Sequence, residues 1–327
     1  MTISPSASFR RLAIGASAAL VGFAGSAFAA DIPCGTAKLI VPWGAGGGTD
    51  VIFRTVVEAA NKAGAKPQLQ VVNMGGQGGN KGAKVARAAK PDGCTLFALH
   101  QSAITSYFTG RVNFSVEAFE PVALLTRTPA IFGASADVPY NNLKELIAAA
   151  KASPKTITAG GTLGSTSQFI FLLLEDAAGI KFKHVSYDGT RQRMTALLAK
   201  NIQLGEINLA AAKKYIQSGE LKALGITTAK RNSEIDKVAT VKEQGIDMVY
   251  GTDRGVVMPK GTKPEVLSHY EAIFAKAVKD PAVGKALAAK GTSVEFKGNA
   301  AYGKHLTDTF SKWKKIAVKV GAYKRKD

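Results

Sequence analysis

Short apolar segments alternate with amphipathic stretches along almost the whole chain after residue 30, and this order constrains the fold more than any other feature. The first predicted elements are a strand over 38–42, a helix over 50–63, a strand over 68–73 and a helix over 80–89. A turn at Pro91–Gly93 leads into a further strand over 94–99. Because parallel strands need a crossover helix between them, the alternation predicts an α/β fold with mostly parallel sheets.

The chain has two places where it can cross between two α/β lobes. The apolar segments 122–125 and 130–134 are separated by a short polar break, and the alternation then repeats until a second crossing near 249–257. A length of 327 residues is enough for two domains with proper cores. We therefore predict a discontinuous first lobe of 31–127 and 251–327 and a second lobe of 128–250.

Residues 1–30 have the composition of a signal peptide. Arg10 and Arg11 precede an apolar run over 12–28, and small residues favour cleavage after Ala29 or Ala30. The run is short for a membrane-spanning helix and is interrupted by glycines, so a retained anchor is the less favoured alternative. The leader predicts export to the periplasm, and the export route stays open.

The charge balance points to an anionic partner. The formal net charge is +19, and removal of the leader with its two arginines leaves +17. The lysines are spread along predicted helices and loops instead of forming a stripe with stacking aromatics, which argues against nucleic acid. The basic C-terminal segment has apolar residues at helical spacing and is typical of an amphipathic helix with a solvated face.

Two cysteines in an oxidising compartment raise the question of a disulfide. Cys34 stands just before one predicted strand, and Cys94 opens another. If these parallel strands are neighbours, both cysteines lie at the same end of the sheet and a bridge is geometrically reasonable. The distance and the side-chain directions are not encoded in the spacing, so the bridge stays open here.

Two glycine-rich loops are the strongest local features. The first runs from Val41 to Asp50 between a strand and a helix, and the second covers 73–82. Glycines let backbone N–H groups converge on an anion, and the helix N-terminus adds the positive end of its dipole. Asp50 or Thr49 is expected to cap this helix. Loops at the carboxyl ends of adjacent parallel strands face one crevice, where ligands bind in open α/β sheets.

Nucleotide and catalytic motifs are not matched. A phosphate loop needs Gly-Lys followed by Ser or Thr, but Gly48 is followed by Thr49 and Asp50, and Thr49 stands where the dinucleotide fingerprint needs its third glycine. The four histidines show no metal-ligand spacing, and Ser165 lacks the second glycine of a nucleophile elbow. We predict no catalytic residue, no metal and no cofactor, and no enzymatic activity.

Polar residues of the second predicted lobe complete the candidate site. Thr162, Ser165 and Thr166 precede a helix and can donate to a carboxylate, and Arg191 follows a strand-to-helix turn and can offer a bidentate fork. Arg193 is at least as well explained as an exposed arginine at a helix start and is left out of the site. Asp253 and Arg254 are interpreted as a surface ion pair without a binding role.

Taken in order, several motifs resemble the Bug family, the periplasmic receptors of tripartite tricarboxylate transporters. They are spread over nearly the whole chain after the leader. The matching segments are Pro42–Asp50, Asn73–Gly82, Pro91–Leu96, Tyr187–Gly189, Ala229–Arg231 and Pro259–Pro264.

The resemblance implies a type II periplasmic-binding-protein fold, with two α/β lobes, a hinge and an interlobe ligand cleft. It also implies that the two glycine loops hold a carboxylate, partly through ordered waters. The ligand-binding residues expected on this basis are Pro42, Trp43, Gly44, Ala45, Gly46, Gly47, Asp50, Gly76, Gln77, Gly78, Gly79, Gln101, Thr162, Ser165, Thr166, Gly189, Thr190 and Arg191.

The chain departs from the family pattern at several positions. Trp43 replaces a usual phenylalanine, Cys94 a usual tyrosine, and Gln203 stands where an aspartate is common. Arg191 and Arg193 occupy a turn that is usually small and uncharged. These differences leave the identity of the ligand open, and an arginine at this turn favours a second carboxylate.

The leading hypothesis is a monomeric receptor that closes on a di- or tricarboxylate or an aromatic acid and docks on membrane transporter subunits. Closure must be stabilised by contacts from both lobes. One alternative is a sensor that presents its closed form to a signalling protein. A periplasmic hydrolase or lyase is a weaker alternative, because it would need an activated nucleophile or a metal.

Overall fold

The computed structural model describes residues 31–325, and the predicted leader over 1–30 lies outside this range. The helices are α1 (Gly48–Lys62), α2 (Asn80–Ala88), α3 (Ser102–Phe108), α4 (Leu143–Ala152), α5 (Thr166–Ala178), α6 (Thr190–Leu198), α7 (Leu209–Gln217), α8 (Pro264–Lys279), α9 (Pro281–Ala288) and α10 (Asn299–Lys319). The strands are β1 (Thr36–Val41), β2 (Gln68–Asn73), β3 (Thr95–His100), β4 (Phe119–Pro129), β5 (Ile131–Ser135), β6 (Thr158–Gly161), β7 (Lys183–Ser186), β8 (Leu204–Ile207), β9 (Leu221–Ile226), β10 (Gly251–Pro259) and β11 (Ser293–Lys297).

The strands form two sheets, and we call each sheet with the helices packed on it a lobe. The first sheet has the order β11-β4-β10-β3-β1-β2, and the second has the order β7-β6-β8-β5-β9. Strand β10 runs antiparallel to both β3 and β4, and β5 runs antiparallel to both β8 and β9. The prediction of mostly parallel sheets therefore missed β10 and β5, which are reversed inside the two sheets, and the edge strand β11, which runs antiparallel to β4.

Strands β5 and β10 lie where the chain passes between the lobes. Strand β4 ends at Pro129 and β5 begins at Ile131, so a single residue, Ala130, joins the two sheets. The return passage leads through Tyr250 into β10. The Thr227 hydroxyl donates to the carbonyl of Tyr250 at 2.6 Å and accepts from the Ala130 amide at 2.9 Å. These two short crossings form the hinge.

The helices cover the sheets through apolar stripes at helical spacing. In α1, the side chains of Ile52, Phe53, Val56 and Ala60 are almost completely buried and belong to the core of the first lobe. Strand β10 is buried along its whole length, as expected of a central strand covered on both faces.

Helix α10 is shared between the lobes. Tyr302 and Leu306, near its start, pack in a first-lobe cluster. Trp313 and Ala317, two turns later, pack with Phe169 and Tyr250 in the core of the second lobe. The helix is amphipathic, as the spacing predicts, and its C-terminal half contacts the second lobe. The boundaries 31–127, 128–250 and 251–327 stay a prediction.

A disulfide joins Cys34 to Cys94, with 6.0 Å between the two Cα atoms. The geometry follows from the sheet, because β1 and β3 are adjacent parallel strands in which Lys38 pairs with Thr95. The Lys38 amide also donates to the Cys94 carbonyl at 2.9 Å. The bridge ties the N-terminus of the described chain to the first sheet.

Candidate functional site

A cavity of about 550 Å³ lies between the two lobes. Its walls come from the residues that follow or end β1, β3, β6, β7 and β8, with β10 at the back, so the carboxyl edges of the two sheets face each other across it. The lining residues used below are Trp43, Gly44, Gly47, Gly48, Thr49, His100, Ser102, Thr162, Ser165, Thr166, Asp188, Gly189, Thr190, Arg191, Arg193, Glu206, Asn208 and Arg254.

The first glycine loop is held in shape by Asp50. Its carboxylate accepts from the Gly46 amide at 2.9 Å, from Arg54 at 2.9 Å and from the Asn73 amide group at 2.9 Å. Gly46 has a φ of +78°, which favours glycine. Burial alone would raise the pKa of Asp50, but the hydrogen bonds lower it, so the carboxylate is ionised at neutral pH. Asp50 thus braces the loop from behind.

The expected helix cap is wrong. Helix α1 begins at Gly48 with Gly47 at the N-cap position, and no side chain caps it. Because glycines allow the helix to start two residues early, Asp50 falls at the third helical position and reaches back to Gly46. The first-turn amides of Gly48 and Thr49 stay uncapped beside the cavity. This helix end is suited to an anion.

The second glycine loop contacts the opposite lobe. The Gly78 amide donates to Asp188 Oδ1 at 3.1 Å across the cleft. Gly78 and Gly79 border a small hollow of about 20 Å³ together with Pro42. Gly76 and Gln77 line neither this hollow nor the main cavity, and both have positive φ angles that form the turn. In this closed arrangement, the loop therefore contacts the second lobe more than the cavity.

Trp43 and His100 form one wall. The indole Nε1 donates to His100 Nε2 at 2.6 Å, and the two rings are nearly parallel, with 13° between their planes. Burial, with a smaller contribution from the charge of Arg254, lowers the pKa of His100 to about 3. The imidazole is therefore neutral and serves as a hydrogen-bond acceptor for Trp43.

The hydroxyl groups of the second lobe are largely occupied by the protein itself. The Thr162 hydroxyl donates to the Tyr187 carbonyl at 2.7 Å and accepts from the Gly189 amide at 3.1 Å. Ser165 caps α5, and the Thr166 hydroxyl lies 3.3 Å from that of Ser102 in the first lobe. These groups shape the loop and join the lobes, and they face the cavity as a polar surface.

Arg191 also joins the lobes. Its Nη1 atom donates to the Ala45 carbonyl at 3.1 Å, while the rest of the side chain is exposed at the cavity rim. Gly189 and Thr190 lie beside it in the lining. Gln101 lies on the other side of β10, where it accepts from the Asp253 amide at 3.0 Å. Ala45, Gly46, Asp50 and Gln101 lie outside the lining of the main cavity.

Two arginines that sequence reasoning set aside are in the cavity wall. Arg193 is 2% exposed, and its guanidinium pairs with Glu206 at 2.5 Å. Burial lowers the pKa of Arg193, and the neighbouring carboxylate opposes this shift. Arg193 is thus a buried residue, not an exposed arginine at a helix start.

Arg254 corrects the second interpretation. The surface ion pair with Asp253 does not exist, because successive residues of a strand face opposite sides. Asp253 points away from the cavity and contacts Arg127 at 3.2 Å and His305 at 3.0 Å. Arg254 is 4% exposed and lines the cavity. The only clue in the sequence was that two adjacent charged residues of a mostly apolar strand must face opposite sides of the sheet.

The described residues 31–325 contain no group of three or more acidic, histidine or cysteine side chains that could hold a metal ion. Within the same range, no helix has the length and apolarity needed to cross a bilayer.

Comparison with known proteins yields one family. A family model described as "Tripartite tricarboxylate transporter family receptor" matches residues 52–322. A UPF0065 protein of Cupriavidus necator is 30% identical over 326 residues, which cover 96% of this chain and 97% of the relative.

Solved structures agree with the sequence comparison. The periplasmic binding protein BugD superposes with a TM-score of 0.83 at 26% identity, covering 89% of this chain and 99% of that protein. MatC of Rhodopseudomonas palustris, solved with bound malate, has a TM-score of 0.79 at 24% identity, covering 86% and 98%, and shares the fold. The expected type II periplasmic-binding-protein fold with two α/β lobes is confirmed.

Proposed function

This chain belongs to the receptor family of tripartite tricarboxylate transporters, and on that premise we propose that it captures a small carboxylate between its lobes and delivers it to membrane transporter subunits. The family and the structural neighbours are solute-binding proteins, and the chain is not an enzyme. The observation that carries the carboxylate proposal is the uncapped N-terminus of α1 at the wall of an interlobe cavity that also contains a buried arginine.

The electrostatics of the cavity favour an anion. Arg191, Arg193 and Arg254 line it against the carboxylates of Glu206 and Asp188, so the wall has a net positive formal charge. The helix dipole and the free first-turn amides add to this potential. A volume of about 550 Å³ accommodates an acid with a short aliphatic or a single aromatic skeleton.

Contacts across the cleft account for closure. Gly78 pairs with Asp188, Arg191 with Ala45, and Ser102 with Thr166, each pair joining one lobe to the other. All three contacts form only when the lobes are together, so they favour the closed state beside whatever the ligand contributes. We propose that the membrane subunits recognise this closed state. The leader over 1–30 supports a periplasmic location.

A panel of acids tests the proposal. The purified chain without its leader is heated with succinate, malate, adipate, citrate or nicotinate, and each acid is matched with its amide. At a hundred times the dissociation constant, a bound acid should stabilise the protein by about 2.7 kcal/mol and raise the melting temperature by several degrees. The amides should leave the melting temperature unchanged. If no carboxylate shifts the transition, the carboxylate proposal is wrong. Delivery is tested by uptake of the same acid, which should be slower in cells without the gene than in cells that have it.

A further inference from the structure

Arg254 is a buried cation whose hydrogen-bonding capacity is only partly used. Its Nε atom donates to the Thr49 hydroxyl at 3.0 Å, and Nη1 donates to the Thr128 hydroxyl at 2.7 Å and, at the long distance of 3.4 Å, to the Thr252 carbonyl. Nη2 has no hydrogen-bond partner among residues 31–325, although the side chain lines the cavity. Two N–H donors of the fork are therefore available.

In the described part of the chain, no carboxylate contacts this guanidinium directly. Within residues 31–325, no aspartate or glutamate oxygen forms an ion pair with Arg254. Glu206 is engaged by Arg193 at 2.5 Å, and Asp253 faces the opposite side of β10. Burial lowers the pKa of Arg254 to about 10, against the opposing effect of the more distant Glu206 and Asp253 charges, so it stays charged at neutral pH. An unpaired buried charge is unfavourable, and an anion bound beside it would remove that cost.

A second unused polar group lies at the same place. Asn208 follows β8 in the second lobe, is 3% exposed and lines the cavity. Its side-chain oxygen is buried without a hydrogen-bond partner, and its Nδ2 amide group, the donor that a carboxylate needs, donates to no residue in the described part of the chain. The amide group packs so closely on Gly48 that a Cβ atom there would lie 2.5 Å from it. Asn208 and Arg254 therefore flank the first turn of α1, one at Gly48 and the other at Thr49.

We propose that Arg254 is the residue that selects an anionic ligand, and that it binds the ligand carboxylate together with the first-turn amides of α1 and the Nδ2 amide group of Asn208. This inference rests on the proposed function and assigns its specificity to one side chain. Arg254 belongs to β10 of the first sheet, and Asn208 belongs to the second lobe. The anion thus contacts both lobes and favours their closure.

The test compares an acid with its amide. For the acid that gives the largest thermal shift in the wild-type protein, dissociation constants of acid and amide are measured by calorimetry for the wild type and for Arg254→Gln. Charge-assisted hydrogen bonds are about twice as strong as neutral ones, so Arg254→Gln should weaken acid binding by roughly 10- to 100-fold. Binding of the amide should change by less than about threefold, which abolishes the preference.

Arg127→Gln is the matched control. Arg127 is also an arginine of the hinge, and its strand β4 pairs with β10, but it contacts Asp253 on the side away from the cavity. The acid affinity of Arg127→Gln should equal that of the wild type. Asn208→Asp should weaken acid binding at least as much as Arg254→Gln, because it places a negative charge beside the bound anion.

The possible failures are distinguishable. A wild-type protein that binds none of the acids overturns the proposed function and this inference together. A wild-type protein that binds an acid, with Arg254→Gln binding it equally well, overturns the inference alone. If Arg254→Gln does not fold, Arg254→Lys keeps the charge without the fork. It should lose roughly tenfold in acid affinity and keep the preference for acid over amide, and an unchanged affinity would contradict the assignment.

Discussion

Two arginines are buried in the wall of the same cavity, and they are not equivalent. All three guanidinium nitrogens of Arg193 donate to other groups of the protein. Nε donates to the Glu206 carbonyl, Nη1 to Thr162, and Nη2 to Thr190 and the Glu206 carboxylate. Among residues 31–325, Arg254 donates only to neutral groups, and its Nη2 has no acceptor. Both are shielded from water, so burial alone does not separate the structural cation from the one available to a ligand.

The difference lies in where each counter-charge comes from. Arg193 and Glu206 neutralise each other and fix α6 to β8, which positions the two neighbouring loops that carry Thr162 and Gly189. Arg254 holds the start of α1 through Thr49 but forms no ion pair with a carboxylate in the range that the structure describes. A buried pair completed inside the protein contributes to folding, while an incomplete one is suited to binding. Counting unused donors therefore identifies the binding residue better than counting charges.

Removal of Arg193 should give the largest effect on folding. Arg193→Met leaves Glu206 buried without its partner, and breaking such a pair costs about 3–5 kcal/mol. We expect the free energy of unfolding, measured by urea denaturation, to fall by that amount. The double variant Arg193→Met/Glu206→Leu should recover most of it, because no unpaired charge remains. Arg254→Met, which removes an unpaired cation, should change stability by less than about 1 kcal/mol. Equal losses in the two single variants would contradict the comparison.

The pH dependence of stability reports on the buried His100 next to Arg254. Its folded-state pKa is about 3 and its ordinary value is 6.5, so below pH 6.5 the unfolded chain binds a proton that the folded protein does not. The stability from the neutral ring is complete above pH 6.5 and is lost as the pH falls toward 3. Between pH 6.5 and 4.5, wild-type stability should fall by up to about 1.4 kcal/mol per pH unit more than that of His100→Gln, which keeps an acceptor for Trp43.

The same measurement separates burial from charge. Burial is the larger cause of the shift and Arg254 the smaller, so Arg254→Met should retain most of the slope. His184, His269, His305 and the carboxylates are present in both proteins and cancel in the comparison. If the pH dependence of stability disappears in Arg254→Met, the charge of Arg254, and not burial, is the main cause of the low pKa of His100.

The sequence predicts the secondary structure well where local rules decide. Strand β2 has the predicted bounds, 68–73, because a short run with two valines lies between Pro67 and the glycines of the second loop. The first glycine loop was placed at the cleft for a similar reason, since the carboxyl end of a parallel strand must face the crevice. Glycine content and the order of the elements along the chain can be read from the sequence, and they predict both the site's position and its preference for anions.

Which side chains enter the cavity depends on contacts that are distant in sequence. Arg254 meets Thr49 across 205 positions, and Arg193 meets Glu206 on another element. Asp50 and Gln101 are both expected to bind the ligand. In the structure, Asp50 accepts a hydrogen bond from the first glycine loop and Gln101 accepts one from β10. A strand shifted by one residue turns Asp253 inward and Arg254 outward. Register of this kind is set by the assembled sheet, and the sequence interpretation missed it.

Replacement of Arg191 should have the smallest effect, and its result separates a contact with Ala45 from a contact with the ligand. The sequence interpretation gave it a second ligand carboxylate, whereas in the structure it donates to the Ala45 carbonyl at the exposed rim. Exposed contacts of this kind contribute little, so Arg191→Ala should lower unfolding stability by less than about 0.5 kcal/mol. Because the bond forms only between closed lobes, affinity for every acid should fall by about two- to threefold, measured by calorimetry. Asp188→Asn, which weakens the other rim contact, is the control and should behave alike. A loss of more than tenfold confined to dicarboxylates would instead show that Arg191, like Arg254, completes its charge with the ligand.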